Sequence, residues 1–196
     1  KGIDFDFFNN TAKELAKNFD NQKSEIRKEI EFLKTAKNRK IVLSIDRLDY
    51  TKGIPDRLRA FELFLEIHPG YLGKVSLFLF VIPSRETITD YKTLKKQTDE
   101  LVGRINGKFG TIGWMPVSYF YKALSRLEMV ELYSCADIAL ITPTRDGMNL
   151  NAKEYIACRT DEKGVLILSE MAGAAKELGE SLIVNPNNKA EVADAI

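Results

Sequence analysis

The sequence predicts an α/β protein with a single doubly wound, Rossmann-like parallel sheet of about six strands and helices on both faces. Short apolar runs recur along the chain, and segments with helical periodicity or helix-start residues separate them. The runs are apolar throughout rather than at alternate positions, which is typical of strands buried on both faces of a parallel sheet. Because 196 residues correspond to about one domain, we expect a single unit over residues 1–196.

The individual elements are predicted from local patterns. Apolar residues between 10 and 37 recur at helical spacing among charges and predict a long or broken amphipathic helix. β-Branched residues then mark the first strand, turn residues follow at 49–53, and Pro55 suits the first turn of the next helix. The predicted strands are 41–45, 75–82, 111–114, 138–142, 165–168 and 182–184. The predicted helices after the first are 55–67, 87–105, 118–124, 128–135, 149–158 and 172–178.

Composition excludes several classes of protein. The net charge is +1, so no global field would hold nucleic acid or an anionic membrane. The longest apolar run, residues 75–83, is far shorter than the roughly 20 residues that a membrane span requires. Cys135 and Cys158 lack metal-type spacing, which is typical of free thiols, so we expect a cytoplasmic protein. The chain lacks an initiator Met and a signal peptide and stops within a predicted helix, so we expect it to be part of a longer protein.

Polar residues follow the predicted strands at the edge of the sheet where ligands bind in open α/β folds. These residues are Asp46, Arg47, Asp49, Lys52, Ser84, Arg85, Arg145, Asp146, Asn149 and Glu170. Four of them are cations on a nearly neutral chain, and we expect them to lie along one edge of the sheet. This clustering indicates a local site for a polyanion such as a diphosphate or a sugar phosphate.

Residues 146–150 predict a helix start with a glycine in the turn. There, free backbone N–H groups and the helix dipole favour an anion. Glu154 lies one turn further along, where its carboxylate can accept hydrogen bonds from the ribose of a nucleotide. A plain structural interpretation is equally open, in which Asp146 caps the helix, Gly147 makes the turn and Glu154 faces solvent.

Arg47 and Lys52 also admit two interpretations. An arginine at a strand end and a lysine before a glycine turn are suited to clamp a diphosphate. Alternatively, Arg47 pairs with Asp46 or Asp49, and Lys52 is a solvated loop charge. Neither the P-loop pattern nor G-x-G-x-x-G occurs, which disfavours P-loop enzymes and dinucleotide oxidoreductases.

Several long motifs in the same order resemble those of one enzyme family. The motifs are DRLDYTKGI at 46–54, PSR at 83–85, GRINGKFG at 103–110, TPTRDGMNL at 142–150 and AKEY at 152–155. The chain resembles the trehalose-6-phosphate synthase family of retaining glycosyltransferases from residue 2 to its end. Members of this family have two Rossmann-like domains in a glycosyltransferase B fold. The chain resembles the C-terminal, nucleotide-sugar-binding domain, so we expect the N-terminal domain to be its missing partner.

The resemblance implies transfer of glucose from UDP-glucose to glucose-6-phosphate with retention, giving trehalose 6-phosphate and UDP. Arg47 and Lys52 would hold the diphosphate, and Asp146 would contact the transferred glucose; these three are the expected catalytic residues. Arg85 would reach the phosphate of the acceptor. No metal or other cofactor is expected, because Arg47 and Lys52 would stabilise the charge that develops on the leaving diphosphate.

The resemblance also implies the remaining donor contacts. Glu154 would bind the uridine ribose, and the backbone of Leu124 would lie near the uracil. The amides expected to cradle the phosphates are those of Gly147, Met148, Asn149 and Leu150. Asn151 departs from the family pattern, which commonly has valine beside this turn, so donor preference is left open.

Alternatives to this function remain open at the level of the sequence. Relatives transfer glucose to other phosphorylated polyols or couple cyclitols, and a synthase-like domain can also serve as a non-catalytic sensor of UDP-sugars or sugar phosphates. Nucleic-acid binding is disfavoured by the charge balance and by the lack of an aromatic and basic stripe. We expect negligible transferase activity from the chain alone, and whether it forms a homo-oligomer is left open.

Overall fold

The computed structural model describes residues 2–17, 24–84 and 89–196. The strands in these ranges are β1 (Lys40–Arg47), β2 (Val75–Ile82), β3 (Val117–Tyr121), β4 (Ile138–Ile141), β5 (Val165–Ser169) and β6 (Leu182–Val184). The α-helices are α1 (Phe5–Lys17), α2 (Glu25–Ala36), α3 (Ile54–Ile67), α4 (Thr89–Phe109), α5 (Arg126–Cys135), α6 (Leu150–Cys158) and α7 (Lys189–Ala195). No helix in the described ranges is long and apolar enough to cross a membrane.

The described strands form one parallel sheet with the order β3-β2-β1-β4-β5-β6, which confirms the doubly wound prediction. The strand order reverses between β1 and β4. These two strands pair only at Val42↔Ile138 and Leu43↔Ala139, whereas β1 stays paired with β2 through Arg47↔Ile82. Since β1 and β4 separate beyond Leu43, a crevice opens at their carboxyl ends.

Helices cover both faces of the sheet because the strands carry apolar side chains on both sides. Val42 and Leu77 pack on one face with α3, α4 and α7, and Leu43 and Phe80 pack on the other with α1, α5 and α6. This alternation along β1 and β2 explains why their sequences are apolar without a two-residue period.

Two of the predicted helices differ in extent from the observed ones. The long helix predicted over residues 10–37 is two helices, α1 and α2, so it is broken. The helix predicted at 87–105 is α4, which continues to Phe109. Residues 18–23 of the first prediction and residues 87–88 of the second lie outside the described residues.

The prediction for residues 111–124 is wrong. Residues 111–114 form a tight turn in which Thr111 and Trp114 exchange backbone hydrogen bonds of 2.9 and 3.1 Å, and the third strand of the sheet is β3 instead. The predicted helix at 118–124 therefore falls on β3. The aromatic residues of β3 suit a strand, and Phe120 stacks on Phe80 of β2 with ring centroids 4.6 Å apart. Tertiary pairing thus overrides the weak local helical pattern.

The helix predicted at 172–178 is instead a short 3-10 turn, Gly173–Lys176. Its leading amides bond outside the turn: Gly173 donates to the Asp146 carbonyl at 3.1 Å and Ala174 to the Met148 carbonyl at 2.8 Å. A Cβ on Gly173 would lie 2.2 Å from the Gly147 carbonyl oxygen. Close backbone packing against the segment that starts α6 therefore replaces the expected α-helix.

Candidate functional site

A cleft of about 700 Å³ lies in the crevice beyond the carboxyl ends of β1 and β4. Its lining comprises Ile45, Asp46, Arg47, Lys52, Ile82, Met129, Asp146, Gly147, Met148, Asn149, Leu150 and Asn151. The fold thus brings together most of the residues that the sequence predicts for a phosphate site. This position is where ligands bind in doubly wound sheets, at the reversal of strand order.

A 3-10 turn after β1 places Lys52 in the cleft. The Asp49 side chain caps this turn by accepting a 2.9 Å hydrogen bond from the Thr51 amide. Gly53 follows with φ +64°, and a Cβ there would lie 2.9 Å from the Thr142 carbonyl oxygen. Only glycine suits this close, left-handed position. The turn is therefore held tightly against the end of β4.

Backbone hydrogen bonds connect the two loops that border the cleft. The Thr51 carbonyl accepts from the amides of Thr144 and Arg145 at 2.9 and 3.2 Å, and also from the Thr144 hydroxyl at 3.1 Å. The loop after β1 and the loop after β4 consequently form one rigid edge. Arg145 itself is exposed and does not line the cleft.

Lys52 forms an ion pair with Asp146 across the cleft. The two side chains are each 14% exposed, and the Lys52 Nζ also lies 3.9 Å from Asp46 Oδ1. Burial by itself raises the pKa of Asp146, but the bond and charge of Lys52, with hydrogen bonds from Met148 and Asn149, outweigh burial and lower that pKa. Asp146 is therefore an ionised hydrogen-bond acceptor at neutral pH.

The start of α6 is built around Asp146 and Asn149. Asp146 Oδ1 accepts hydrogen bonds from the amides of Met148 at 3.3 Å and Asn149 at 3.1 Å. Asn149 has φ +68° and caps α6 by accepting from the Ala152 amide at 3.1 Å. Asp146 thus occupies two of the amides that the sequence predicts for phosphate binding, much as a bound anion would.

Arg47 extends from the end of β1 as an exposed side chain that lines the cleft. It forms no hydrogen bond or ion pair with any residue in the described ranges. Of the two alternative partners, Asp46 pairs with Arg57 instead, whereas, against the effect of burial, the charge of Arg47 does contribute to lowering the pKa of Asp49. Arg47 is thus a cation available to a ligand at the mouth of the cleft.

Arg57 is a site residue that the sequence analysis missed. Its side chain is 0% exposed, and its guanidinium donates to Asp46 at 2.8 Å and to the Thr142 hydroxyl at 2.9 Å. A signal was present, because Arg57 lies on the apolar face of α3 between Ile54 and Phe61 at helical spacing. A cation in such a position indicates a buried ion pair.

Glu154 and Leu124 lie outside the lining of this cleft. Glu154 is half-buried on α6, and its carboxylate accepts a 3.4 Å hydrogen bond from the Tyr133 hydroxyl. Burial raises the pKa of Glu154, and the Tyr133 bond and the charge of Arg126 oppose that rise only in part. Leu124 is half-buried just before α5 and packs against the core.

The other predicted residues at the strand ends have mixed positions. Ser84 is half-buried after β2, and Glu170 is exposed after β5. Arg85 lies outside the described residues, so its predicted role as an acceptor contact stays a prediction.

The fold and the cleft together define a Rossmann-like domain with a charged cleft at its switch point. The chain belongs to glycosyltransferase family 20, whose family model matches residues 3–196. It is 46% identical over 197 residues to the α,α-trehalose-phosphate synthase [UDP-forming] of Pichia angusta, covering 100% of the chain and 40% of that relative. It is 48% identical over 195 residues to the bifunctional trehalose-6-phosphate synthase/phosphatase of Thermoproteus tenax, covering 100% of the chain and 26% of that relative.

Solved structures share the fold. An α,α-trehalose-phosphate synthase (UDP-forming) from Burkholderia xenovorans in complex with glucose-6-phosphate has a TM-score of 0.91 and 38% identity, over 99% of this chain and 41% of that one. A structure from E. coli bound with UDP-2-fluoro glucose has a TM-score of 0.86 and 37% identity, also over 99% and 41%. These matches confirm the predicted family and fold. The chain spans about two fifths of the length of these structures.

Proposed function

We propose that the chain is the nucleotide-sugar-binding domain of a UDP-forming trehalose-6-phosphate synthase. The enzyme would transfer glucose from UDP-glucose to glucose-6-phosphate with retention and release UDP. The observation that carries this proposal is the arrangement of Arg47, Lys52 and Asp146 around one cleft at the switch point. Membership of the family and the ligands named for the Burkholderia and E. coli structures support it.

Lys52 is the group that we expect to change partners when the donor binds. It pairs with Asp146 here, but a diphosphate carries more negative charge than one carboxylate and competes for the ammonium group. Together with Arg47, Lys52 would stabilise the charge that develops on the departing diphosphate. On this basis we propose that transfer needs no metal ion.

Asp146 would be released by the same exchange. Before this exchange Lys52 and the bonds from Met148 and Asn149 lower the pKa of Asp146, so it is ionised and can accept a hydrogen bond from an arriving glucose hydroxyl. A carboxylate near the anomeric carbon also stabilises the positive character that develops there. The amides of Met148 and Asn149, which Asp146 now occupies, would then become available to a phosphate oxygen.

Glu154 and Leu124 would contact the nucleoside. Glu154 lies one helical turn beyond the start of α6, and a half-buried carboxylate at this distance can accept from both ribose hydroxyls. Leu124 would place its backbone near the uracil. Arg85 and the N-terminal domain of the longer protein would supply the acceptor site, so we expect the chain alone to bind UDP without appreciable turnover.

Calorimetric titration of this chain with UDP, UDP-glucose, GDP and glucose-6-phosphate tests the donor site. We expect UDP to bind in preference to GDP. In thermal unfolding, UDP at a hundred times its Kd should raise the Tm of the chain by roughly 5 to 10 °C. Arg47→Ala should weaken UDP binding by about ten-fold or more, since a charge-assisted contact is lost. Arg59→Ala is the matched control, because Arg59 pairs with Asp56 on the same strand–helix unit away from the cleft. Absence of UDP binding, or equal losses in the two variants, would contradict the proposal.

A further inference from the structure

Four charged side chains form a compact group at the cleft, and we call Asp46, Lys52, Arg57 and Asp146 the switch-point cluster. All except Arg57 line the cleft. Lys52 pairs with Asp146, Arg57 pairs with Asp46 at 2.8 Å, and the Lys52 Nζ lies 3.9 Å from Asp46 Oδ1. Burial raises the pKa of Asp46, and the charges of Arg57 and Lys52 oppose that rise. Ionised Asp46 and Asp146 balance Arg57 and Lys52, so the cluster then has no net charge. The affinity of the cleft for an anion therefore depends on this local balance, because the group is largely shielded from solvent.

Asp46 is a second carboxylate that competes for Lys52. Its side chain is 1% exposed, and its Oδ1 atom has no hydrogen-bond partner among the described residues. That oxygen faces the Lys52 ammonium rather than water. A buried carboxylate with an unsatisfied oxygen attracts neighbouring cations strongly, and Lys52, at 3.9 Å, is a cation that we expect a phosphate to need.

Arg57 is the group that satisfies the other oxygen of Asp46. Its NH1 group donates to Asp46 at 2.8 Å and to the Ser44 hydroxyl at 2.5 Å, while NH2 donates to the Lys52 carbonyl at 3.0 Å. Arg57 thus balances the charge of Asp46 and also holds the backbone of Lys52. It lies entirely beneath the cleft and does not line it.

We propose that Arg57 is a positioning residue of the anion site, which neutralises Asp46 so that Lys52 remains available to a phosphate of the donor. Without Arg57 the remaining three members of the cluster carry a net negative charge and repel an anionic ligand. This inference rests on the proposed function, since it concerns the same phosphate contacts. It adds a residue that acts through Asp46 and Lys52 and never touches the ligand.

A double-mutant cycle separates this electrostatic role from a structural one. Asp46→Asn and Arg57→Gln each leave one buried charge unpaired, so both single variants are less stable than the wild type. The double variant contains no unpaired buried charge at these positions. If Arg57 were only structural, affinity for an anion would fall in both single variants along with stability.

The electrostatic role predicts a different order for affinity. UDP at low salt is the probe. Arg57→Gln makes the cluster negative and should weaken UDP binding by roughly ten-fold, whereas Asp46→Asn makes the cluster positive and should tighten UDP binding by a few-fold. The double variant should return towards the wild-type Kd. Arg59→Gln is the control, since it removes a half-buried arginine of α3 that pairs with Asp56 and belongs to neither the cleft lining nor the cluster. Calorimetry gives the Kd, and thermal unfolding of the same samples gives the stability.

The sign of the Asp46→Asn effect decides the outcome. This nearly isosteric change keeps an oxygen for Arg57, and it can be measured well below its Tm even if Arg57→Gln does not fold. Weaker or unchanged UDP binding by Asp46→Asn overturns the inference while leaving the donor site intact. Failure of the wild-type chain to bind UDP instead overturns the proposed function itself, and the inference with it.

Discussion

The side-chain amide of Asn151 donates a 2.8 Å hydrogen bond to the carbonyl of Ile45, 106 residues earlier in the chain. This bond lies in the crevice where β1 and β4 have separated, so no neighbouring strand on that side is paired with Ile45 in the described structure. Asn151 therefore ties the first turn of α6 to the end of β1. It gives a structural reason for an amide side chain at this position.

Asn151→Ala should remove this connection and destabilise the protein. The Ile45 carbonyl would lose its partner at the cleft, which costs about 1 kcal/mol and lowers the Tm by roughly 2 to 4 °C. Asn187→Ala, in an exposed loop, is the control. Thermal unfolding that shows the same Tm for both variants would mean that water replaces the amide without loss.

Gly173→Ala should disturb both stability and UDP binding. The added Cβ would lie 2.2 Å from the Gly147 carbonyl oxygen, and backbone on both sides must move to relieve that contact. We expect the free energy of unfolding to fall by about 1 to 3 kcal/mol. UDP should also bind more weakly, because Gly147 begins the run of amides that we expect to hold the phosphates. At Gly179 an added Cβ meets nothing within 4 Å, so Gly179→Ala is the control. Denaturant unfolding and UDP titration measure the two effects, and equal results for the two alanines would refute the prediction.

Asp146→Asn should be destabilising in a pH-dependent manner. The pKa of Asp146 is lowered from 3.8 in the folded protein, so its ionised form favours folding. That stabilisation is fully present above the unfolded pKa and is lost as the pH falls through the lower folded pKa. Urea unfolding should therefore show a gap in unfolding free energy between wild type and variant at neutral pH, which narrows as the pH falls below 3.8.

Asp56→Asn provides the comparison for Asp146→Asn. It breaks a partly exposed i,i+3 ion pair with Arg59, for which we expect less than about 0.5 kcal/mol. A gap for Asp146→Asn that stays constant across the acid range would show that the variant acts through packing rather than charge.

Glu154→Gln should stabilise the protein while weakening UDP binding. Burial raises the pKa of Glu154 above 4.5, so the folded state disfavours the ionised form of this carboxyl. Stability is therefore lost as the pH rises from 4.5 through the higher folded pKa. Glutamine keeps an acceptor for the Tyr133 hydroxyl without the charge, so its Tm should exceed that of the wild type at neutral pH. The difference should vanish below about pH 4.5.

The readouts for Glu154→Gln are thermal unfolding against pH and UDP titration. Glu180→Gln, at an exposed position, should change neither. A lower Tm for Glu154→Gln at neutral pH would contradict the assigned cost of burying this carboxylate.

Three elements show which parts of the fold local sequence patterns can predict. The observed limits of β2, residues 75–82, agree with the prediction, because the apolar run itself marks the segment that must be buried. The α5 helix was predicted within two residues of its observed start, and its Ser125 cap with Glu128 is a local signal of the same kind. The edge strand β3 was missed, since its pairing with β2 is a long-range contact.

The sequence by itself determined the alternation of strands and helices, the edge of the sheet where the site lies, and most of the residues that line the cleft. These features follow from apolar runs, turn residues and helix starts, whose physical causes act over a few neighbouring residues. Only the tertiary structure decided that Lys52 pairs with Asp146, 94 residues away, and that the buried Arg57 pairs with Asp46. Such pairings depend on which side chains the folded sheet brings together away from water, because only there does a charge require one particular partner.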